Sequence, residues 1–158
     1  MVSEAAVATI ALLSVTASLP FYLYGAWYIL EQEVVTWSVL THHLKFIVVG
    51  LVLTTVPILT WMLPRFPDQL GGLAAVHAFL GVQAYALLVF ALTGIVRILQ
   101  VKRAHDLYEK PTQDVDISSL HENMDAWRGR LRLGVFGYVV LWILAWLLGI
   151  VRYLRLHF

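Results

Sequence analysis

Residues 41–64 read THHLKFIVVGLVLTTVPILTWMLP, and this stretch carries the pattern that decides the fold. After His42, His43 and Lys45, residues 46–64 contain no Asp, Glu, Lys or Arg. About 20 predominantly apolar residues are enough for a helix to cross the hydrocarbon core of a bilayer. The stretch therefore predicts a membrane-spanning helix whose polar start carries two imidazoles.

Three further stretches, residues 5–30, 69–96 and 133–151, also lack charged side chains. We predict four membrane spans, over about residues 5–30, 41–63, 73–99 and 131–153. Because these spans use most of the 158 residues, we expect one domain over residues 1–158. Its predicted fold class is all-α, an integral membrane four-helix bundle with up-down topology.

The composition supports a membrane protein. The chain is 60% hydrophobic and 13% charged, with a mean hydropathy of +0.78, whereas soluble domains carry roughly 25% charged residues. The lipid bilayer is therefore the expected surrounding. A net charge of +1 without a basic run gives no reason to expect nucleic acid as a partner. Cysteine is absent, which excludes disulfides and thiolate ligation of iron–sulfur clusters.

The first apolar run is expected to be a retained helix, because the residues before it, MVSE, lack the basic segment of a signal peptide. The connection at residues 104–127 is the main polar stretch. Within it, Ser118 or Ser119 is expected to cap a short surface helix that contains His121 and Glu122.

The distribution of Lys and Arg predicts the orientation in the cell (plasma) membrane. Eight of them flank the first and third connections, and three lie on the opposite side. Since positive charge accumulates on cytoplasmic loops, loops 31–41 and 104–127 are expected in the cytoplasm and both termini outside. The eight are Lys45, Arg97, Lys102, Arg103, Lys110, Arg128, Arg130 and Arg132, and the three are Arg65, Arg152 and Arg155.

The histidines suggest a cofactor site. A b-type haem in a helical bundle needs two imidazoles at one depth on facing helices, with basic residues near its propionates. His43 and His121 meet the depth requirement if the polar connection folds back onto the bundle, and they are the predicted ligands of the haem iron. The candidate cofactor-binding residues are His43, His121, His77, His42, Lys45 and Arg130, with Arg128 as a further propionate partner.

Each of these residues also has an ordinary structural interpretation. His42 and His43 fit an interfacial pair, with His42 at the surface beside Lys45 and His43 on the packed stripe of the helix. His77 fits a buried imidazole hydrogen-bonded to a Ser, Thr or Tyr of another helix. In the polar connection, His105, Asp106, Glu109 and His121 could hold a metal, but their spacing matches no closed motif, and a solvated loop is the simpler interpretation.

Short motifs in the last three spans resemble the core of the ascorbate-linked and ferric-reductase b-type cytochromes. The motif residues are His42 or His43, Gly50, Pro57 and Arg65, then His77, Leu80, Gln83 and Gly94, then Gly134, Gly149 and Arg152. Arg130 stands where that family has a further histidine. The resemblance implies haem b and electron transport. The whole chain also resembles small four-span membrane proteins of halophilic archaea, whose activity is uncharacterised. This resemblance suggests an association with the respiratory chain.

Three functional hypotheses follow. The first is a non-catalytic accessory or assembly subunit of a larger membrane complex, possibly respiratory, with other membrane subunits as partners. It assigns no catalytic residue. The alternative is a single b-type haem electron-transfer protein. The weaker alternative is a quinone-binding subunit, with the quinone near His77, Gln83 and aromatic side chains.

Overall fold

Four long α-helices make up the bundle. The computed structural model describes residues 3–69, 71–110 and 116–158. The helices are α1 (Glu4–Leu30), α2 (Trp37–Pro57), α3 (Gly72–Ala104) and α4 (Met124–His157). All four are long and apolar enough to cross a membrane. The predicted all-α four-helix bundle is therefore confirmed, and the protein has the character of a multi-pass membrane protein.

α2 begins four residues before the predicted span because Thr36 caps it. The Thr36 side chain accepts a hydrogen bond from the Val39 N–H at 3.3 Å, which satisfies one of the free donors of the first turn. α1 begins in the same way, since Ser3 Oγ accepts from the Ala6 N–H at 3.2 Å. Both caps lie outside the apolar runs, so both helices begin before the spans that hydropathy alone indicated.

α2 ends at Pro57, but the chain stays helical. A π-helical turn (Ile58–Met62) follows, and then a 3-10 helix (Leu63–Gln69). Proline has no N–H to donate, so the regular i to i−4 pattern is interrupted in this region. Trp61 lies in the π-helical turn and Arg65 in the 3-10 helix, at the end of the bundle where both termini lie.

The polar connection differs from the prediction. Its short helix is a 3-10 helix (Ile117–Leu120) capped by Asp116, whose side chain accepts from the Ser118 N–H at 2.9 Å. A cap at Ser118 or Ser119 is therefore wrong, because the aspartate two residues earlier already holds this amide. His121 follows the helix instead of lying within it. Residues 111–115 of the predicted connection lie outside the described residues.

Two helical hairpins build the bundle. α3 packs most extensively on α4, α1 packs on α2, and α1 and α4 join the two pairs. Two glycines permit a close approach of α3 and α4. A Cβ at Gly134 would lie 2.8 Å from both the Ala91 amide nitrogen and the Leu87 carbonyl oxygen, and a Cβ at Gly94 would lie 2.5 Å from the Trp127 carbonyl oxygen. A small residue at such a crossing lets two backbones meet without side chains between them.

We predict that Gly134→Ala lowers the free energy of unfolding by about 1–3 kcal/mol, because the added methyl group meets backbone that cannot move aside cheaply. Gly129→Ala on the same helix is the matched control, since a Cβ at Gly129 meets nothing within 4 Å. It should be neutral or slightly stabilising, because alanine favours helix. Thermal unfolding in mild detergent, followed by circular dichroism, measures both. Equal melting temperatures for the two variants would contradict the prediction.

Candidate functional site

A cavity of about 610 Å³ lies between the helices at the end that holds both termini. We call it the terminal cavity. On α4 its lining runs from Trp142 to His157, which at 1.5 Å per residue is about 22 Å. This is about three quarters of the length of the roughly 30 Å hydrocarbon core. The cavity is lined by residues of all four helices and of the turn after α2. They include Glu4, Leu12, Val15, Thr54, Thr55, Leu59, Trp61, Leu63, Arg65, His77, Gly81, Val82, Ala84, Tyr85, Trp142, Trp146, Gly149, Arg152, Tyr153 and His157.

Charged and aromatic side chains mark the mouth of the terminal cavity. Arg65 Nη2 donates to Glu4 Oε1 at 2.9 Å, and the Arg65 guanidinium carbon lies 5.2 Å from the centre of the Trp61 ring. The two contacts tie the turn after α2 to the start of α1. Glu4 is largely exposed, so the ion pair positions Arg65 more than it stabilises the fold.

His77 and Arg152 form the polar contact inside the mouth. Arg152 Nη1 lies 2.9 Å from His77 Nδ1. Because a guanidinium can only donate, Nδ1 must accept, and the imidazole then carries its proton on Nε2. A Cβ at Gly149 would lie 3.4 Å from that Nε2, so the glycine leaves room for the ring. The expected Ser, Thr or Tyr partner of His77 is therefore replaced by an arginine.

Arg152 was missed as a site residue, although a sequence signal for it existed. His77 lies about one turn inside the start of α3, and Arg152 lies about one turn inside the end of α4. In an antiparallel pair these positions are at the same depth. Two polar residues at one depth on neighbouring helices are a signal for a contact, and a pattern of histidine pairs does not contain it.

A buried hydroxyl cluster closes the cavity floor. Thr54 is 1% exposed and Ser18 is fully buried. Thr54 Oγ1 lies 2.9 Å from the Gly50 carbonyl oxygen, 3.0 Å from Ser18 Oγ and 3.2 Å from the Tyr22 hydroxyl. The Tyr138 hydroxyl donates to Tyr22 at 3.4 Å. The cluster joins α1, α2 and α4, and in lipid such bonds replace contacts with water.

The terminal cavity is open on the side between α2 and α3. These two helices pack little against each other, and one hydrogen bond, Thr55 Oγ1 to the Tyr85 hydroxyl at 2.8 Å, joins them at the floor. Above it, Leu59, Leu63 and Val82 line the cavity while each is more than half exposed. In a bilayer this gap faces the acyl chains.

The predicted haem ligands His43 and His121 have separate neighbours. His43 Nδ1 lies 2.7 Å from the Gly25 carbonyl oxygen of α1. His121 Nδ1 accepts from the Asn123 N–H at 3.0 Å, and its ring lies 4.4 Å from that of Trp127. No hydrogen bond or ring contact joins these two described histidines, and neither lines the terminal cavity. Their pairing at one haem iron therefore stays a prediction.

His42 lies in an aromatic cluster of α1 and α2. Its ring centre is 4.2 Å from that of Tyr28, 5.2 Å from Phe46 and 6.1 Å from Tyr24. Its Nε2 is buried and has no hydrogen-bond partner among the described residues. The expected surface position beside Lys45 is therefore wrong for His42. The cause is the run of aromatic residues at the end of α1, which covers this face of α2.

The remaining predicted site residues are dispersed. Lys45 and Arg130 are exposed on different helices, and Arg128 Nη1 donates to Ser118 Oγ at 3.1 Å. Gln83 is exposed and lies outside the terminal cavity, whereas His77 and several aromatic side chains of the quinone hypothesis line it. Within the described residues, no group of three or more His, Asp or Glu side chains could hold a metal ion. The metal site considered around His105 is therefore not assembled.

At the opposite end, the segment after α3 folds against the start of α2. The Trp37 N–H donates to the Tyr108 carbonyl at 3.2 Å, and their rings meet edge to face at 5.7 Å. Lys102 Nζ lies 5.6 Å from the centre of the Tyr108 ring. Burial raises the pKa of the Tyr108 hydroxyl above its usual range. These contacts brace the loop end of the bundle.

We predict that Thr54→Val lowers the free energy of unfolding by about 1–2 kcal/mol, because it leaves Ser18 and Tyr22 without their shared hydroxyl partner. Thr93→Val on α3 is the control, since that exposed hydroxyl donates only to the Phe90 carbonyl of its own helix. It should change stability by less than about 0.5 kcal/mol. Thermal unfolding in detergent compares the two. A Thr54→Val protein as stable as Thr93→Val would argue against a stabilising role for the cluster.

Comparison with known proteins gives one relationship. No curated protein and no solved structure matches the sequence. One family model, described as a domain of unknown function (DUF7321), matches residues 4–158. That range includes all four helices, both connections at the loop end and every residue of the terminal cavity discussed above. The chain therefore belongs to the DUF7321 family of domains of unknown function.

Proposed function

We propose that the protein is a non-catalytic membrane subunit that binds one lipid-soluble amphipathic molecule in the terminal cavity. The observation that carries the proposal is the make-up of this cavity. Its volume of about 610 Å³ lies within the range of about 300–1,000 Å³ found for small-molecule sites. Its walls are mostly apolar, while His77 and Arg152 form a polar contact near the mouth.

The side opening supports access from the bilayer. A lipid-soluble molecule could pass between α2 and α3 along Leu59, Leu63 and Val82 without crossing water. The hydroxyl cluster below the cavity satisfies its own polar groups, so the floor offers little reason for a polar ligand group to go deeper. The polar mouth and apolar interior therefore favour a ligand with one polar end.

The role within a larger membrane complex, possibly respiratory, belongs to the same proposal. Two observations support this role. The two hairpins pack sparsely against each other, and α4 carries large exposed apolar side chains, such as Phe136 (71% exposed). The likeness to small membrane proteins of halophilic archaea points in the same direction. We also propose that both termini, and with them the mouth of the terminal cavity, face the outside of the cell membrane.

A single b-type haem is the alternative proposal, with electron transfer as its role. It would use Nε2 of His43, since the bond from Nδ1 to the Gly25 carbonyl is one that a metal-ligating histidine commonly makes. It would also require His121 to leave Trp127 so that its ring could reach the same iron. The quinone proposal is narrower than the one above and is included within it, because a quinone is one kind of lipid-soluble ligand.

The test of the proposed function is to purify the protein from native membranes in mild detergent and to measure bound small molecules by native mass spectrometry. We expect the wild-type protein to retain one lipid-soluble molecule. Gly81→Phe should lose it, because Gly81 lines the cavity and has open space where a side chain would project. Gly129→Phe is the control, since that position is also open but lies far from the cavity.

Retention by Gly81→Phe equal to that of Gly129→Phe, or an empty wild-type protein, would contradict the proposal. The visible spectrum of the same preparation, oxidised and reduced, tests the haem alternative. A Soret band that disappears in His43→Ala would support haem. A colourless protein from a haem-replete host would reject it.

A further inference from the structure

We infer that the loop end of the α3–α4 hairpin binds the phosphate of an anionic membrane lipid between Arg97 and Arg130. This site lies outside the terminal cavity, at the opposite end of the bundle, and does not depend on the proposed function. The inference follows from the register of α3 on α4, the depth of the two arginines in the membrane and the position of the carboxylates around them.

Arg97 and Arg130 are neighbours across the contact of α3 with α4. A Cβ at Gly94 would lie 3.3 Å from the Arg130 Cβ. Arg97 follows Gly94 by three residues, and residues at this spacing on a helix have Cβ positions about 5–6 Å apart. The two arginine Cβ atoms are therefore separated by at most about 9 Å.

The directions of the two helices bring these side chains closer together. Arg97 lies one turn nearer the loop end than Gly94, whereas Arg130 lies beside Gly94. Each Cα–Cβ bond leans toward the start of its own helix. Because α3 and α4 are antiparallel, Arg97 leans deeper and Arg130 leans toward the loop end. Both side chains are exposed, so the two guanidinium groups can meet on the outside of the hairpin.

The two arginines lie one membrane thickness away from the His77–Arg152 contact. Arg97 follows His77 by 20 residues on α3, a rise of about 30 Å. Arg130 precedes Arg152 by 22 residues on α4, a rise of about 33 Å. The hydrocarbon core is roughly 30 Å thick. With the mouth of the terminal cavity at one surface, Arg97 and Arg130 therefore reach the headgroup layer of the opposite leaflet.

Other basic residues of the loop end contact the protein itself. Lys102 Nζ lies 5.6 Å from the centre of the Tyr108 ring, and the Arg103 guanidinium carbon lies 6.0 Å from the centre of the Trp37 ring. Arg128 donates to the polar connection. These residues brace the loop end, and they differ in this respect from Arg97 and Arg130.

Arg97 and Arg130 form no ion pair within the described residues. α3 contains no Asp or Glu, and α4 contains only Asp125, which lies 3.9 Å from Arg128. A guanidinium at the membrane surface is stabilised by an anion or by water. Anionic lipids attract basic residues at exactly this level. The headgroup layer therefore supplies the negative charge that the two helices lack.

A lipid phosphate fits this pair better than a free anion does. A guanidinium donates two parallel hydrogen bonds to phosphate oxygens. Deeper on the same faces, Phe90 lies two turns from Arg97 and Leu133 one turn from Arg130, and both are exposed. An acyl chain can lie along these side chains while its phosphate contacts the arginines. A lipid with net negative charge is favoured, because the ammonium group of a zwitterionic lipid is repelled by two positive charges.

Native mass spectrometry of delipidated protein in mild detergent tests the inference. The protein is titrated with dioleoyl phosphatidylglycerol, which is anionic, or with dioleoyl phosphatidylcholine, which has the same chains and no net charge. We expect the wild type to bind phosphatidylglycerol at least about tenfold more tightly. Inorganic phosphate in large molar excess should not displace this lipid, because it has no acyl chain to pack on the hairpin.

Variants assign the preference to the two arginines. Arg97→Gln and Arg130→Gln should each weaken binding of phosphatidylglycerol at least about tenfold and remove the preference for it. Arg130→Lys should keep most of the preference because it keeps the charge. Arg132→Gln is the matched control, since Arg132 is exposed on the same helix but is turned about 200° from Arg130. It should bind like the wild type.

Each contrary outcome has one meaning. Equal binding of the two lipids by the wild type overturns the inference, and this comparison needs no variant to fold. Displacement by inorganic phosphate would replace the lipid with a free anion. Equal losses in Arg97→Gln and Arg132→Gln would show a diffuse attraction to the basic end in place of a site. Gly81→Phe should keep the preference, and its loss there would place the lipid in the terminal cavity and contradict the inference.

Discussion

The close approach of α3 and α4 at Gly134 is the contact on which the rest of the bundle depends. In lipid, every backbone N–H and C=O must be satisfied within the protein, so the chain forms long helices before any tertiary contact is considered. Apolar burial from water cannot then hold the helices together, and close van der Waals contact has to do so. Gly134 against Ala91, where no side chain intervenes, provides that contact.

The terminal cavity is a consequence of this uneven packing. α3 and α4 are joined backbone to backbone, whereas the α1–α2 hairpin is joined to them mainly through hydroxyl and ring contacts. Trp146 Nε1 donates to Thr16 Oγ1 at 3.1 Å, and the Thr9 hydroxyl lies 2.7 Å from that of Tyr153. Such contacts hold α1 beside α4, but they do not draw α2 against α3. The space left between α2 and α3 is where the proposed ligand enters.

The polar groups near the terminal cavity fall into two kinds. The hydroxyls around Thr54 satisfy one another and hold helices together. The His77–Arg152 contact joins an acceptor to a donor at the mouth of the cavity and links α3 to α4. The histidines at the loop end instead pack within the protein, His43 on a carbonyl and His42 among aromatic rings. Histidine pairs were therefore a poor guide to the site, because one imidazole can be satisfied equally well by backbone, by an aromatic ring or by an arginine.

The sequence by itself determined the number of helices, their order and the membrane character of the protein, because a charge-free run of about 20 residues has few other stable forms in a cell. Tertiary structure alone decided that Arg152 meets His77 and that His43 bonds to Gly25. It also decided that α2 and α3 stay apart over Leu59 and Val82. These features depend on how far each helix is rotated and shifted against its neighbours, and hydropathy carries no information on rotation when apolar side chains surround every helix.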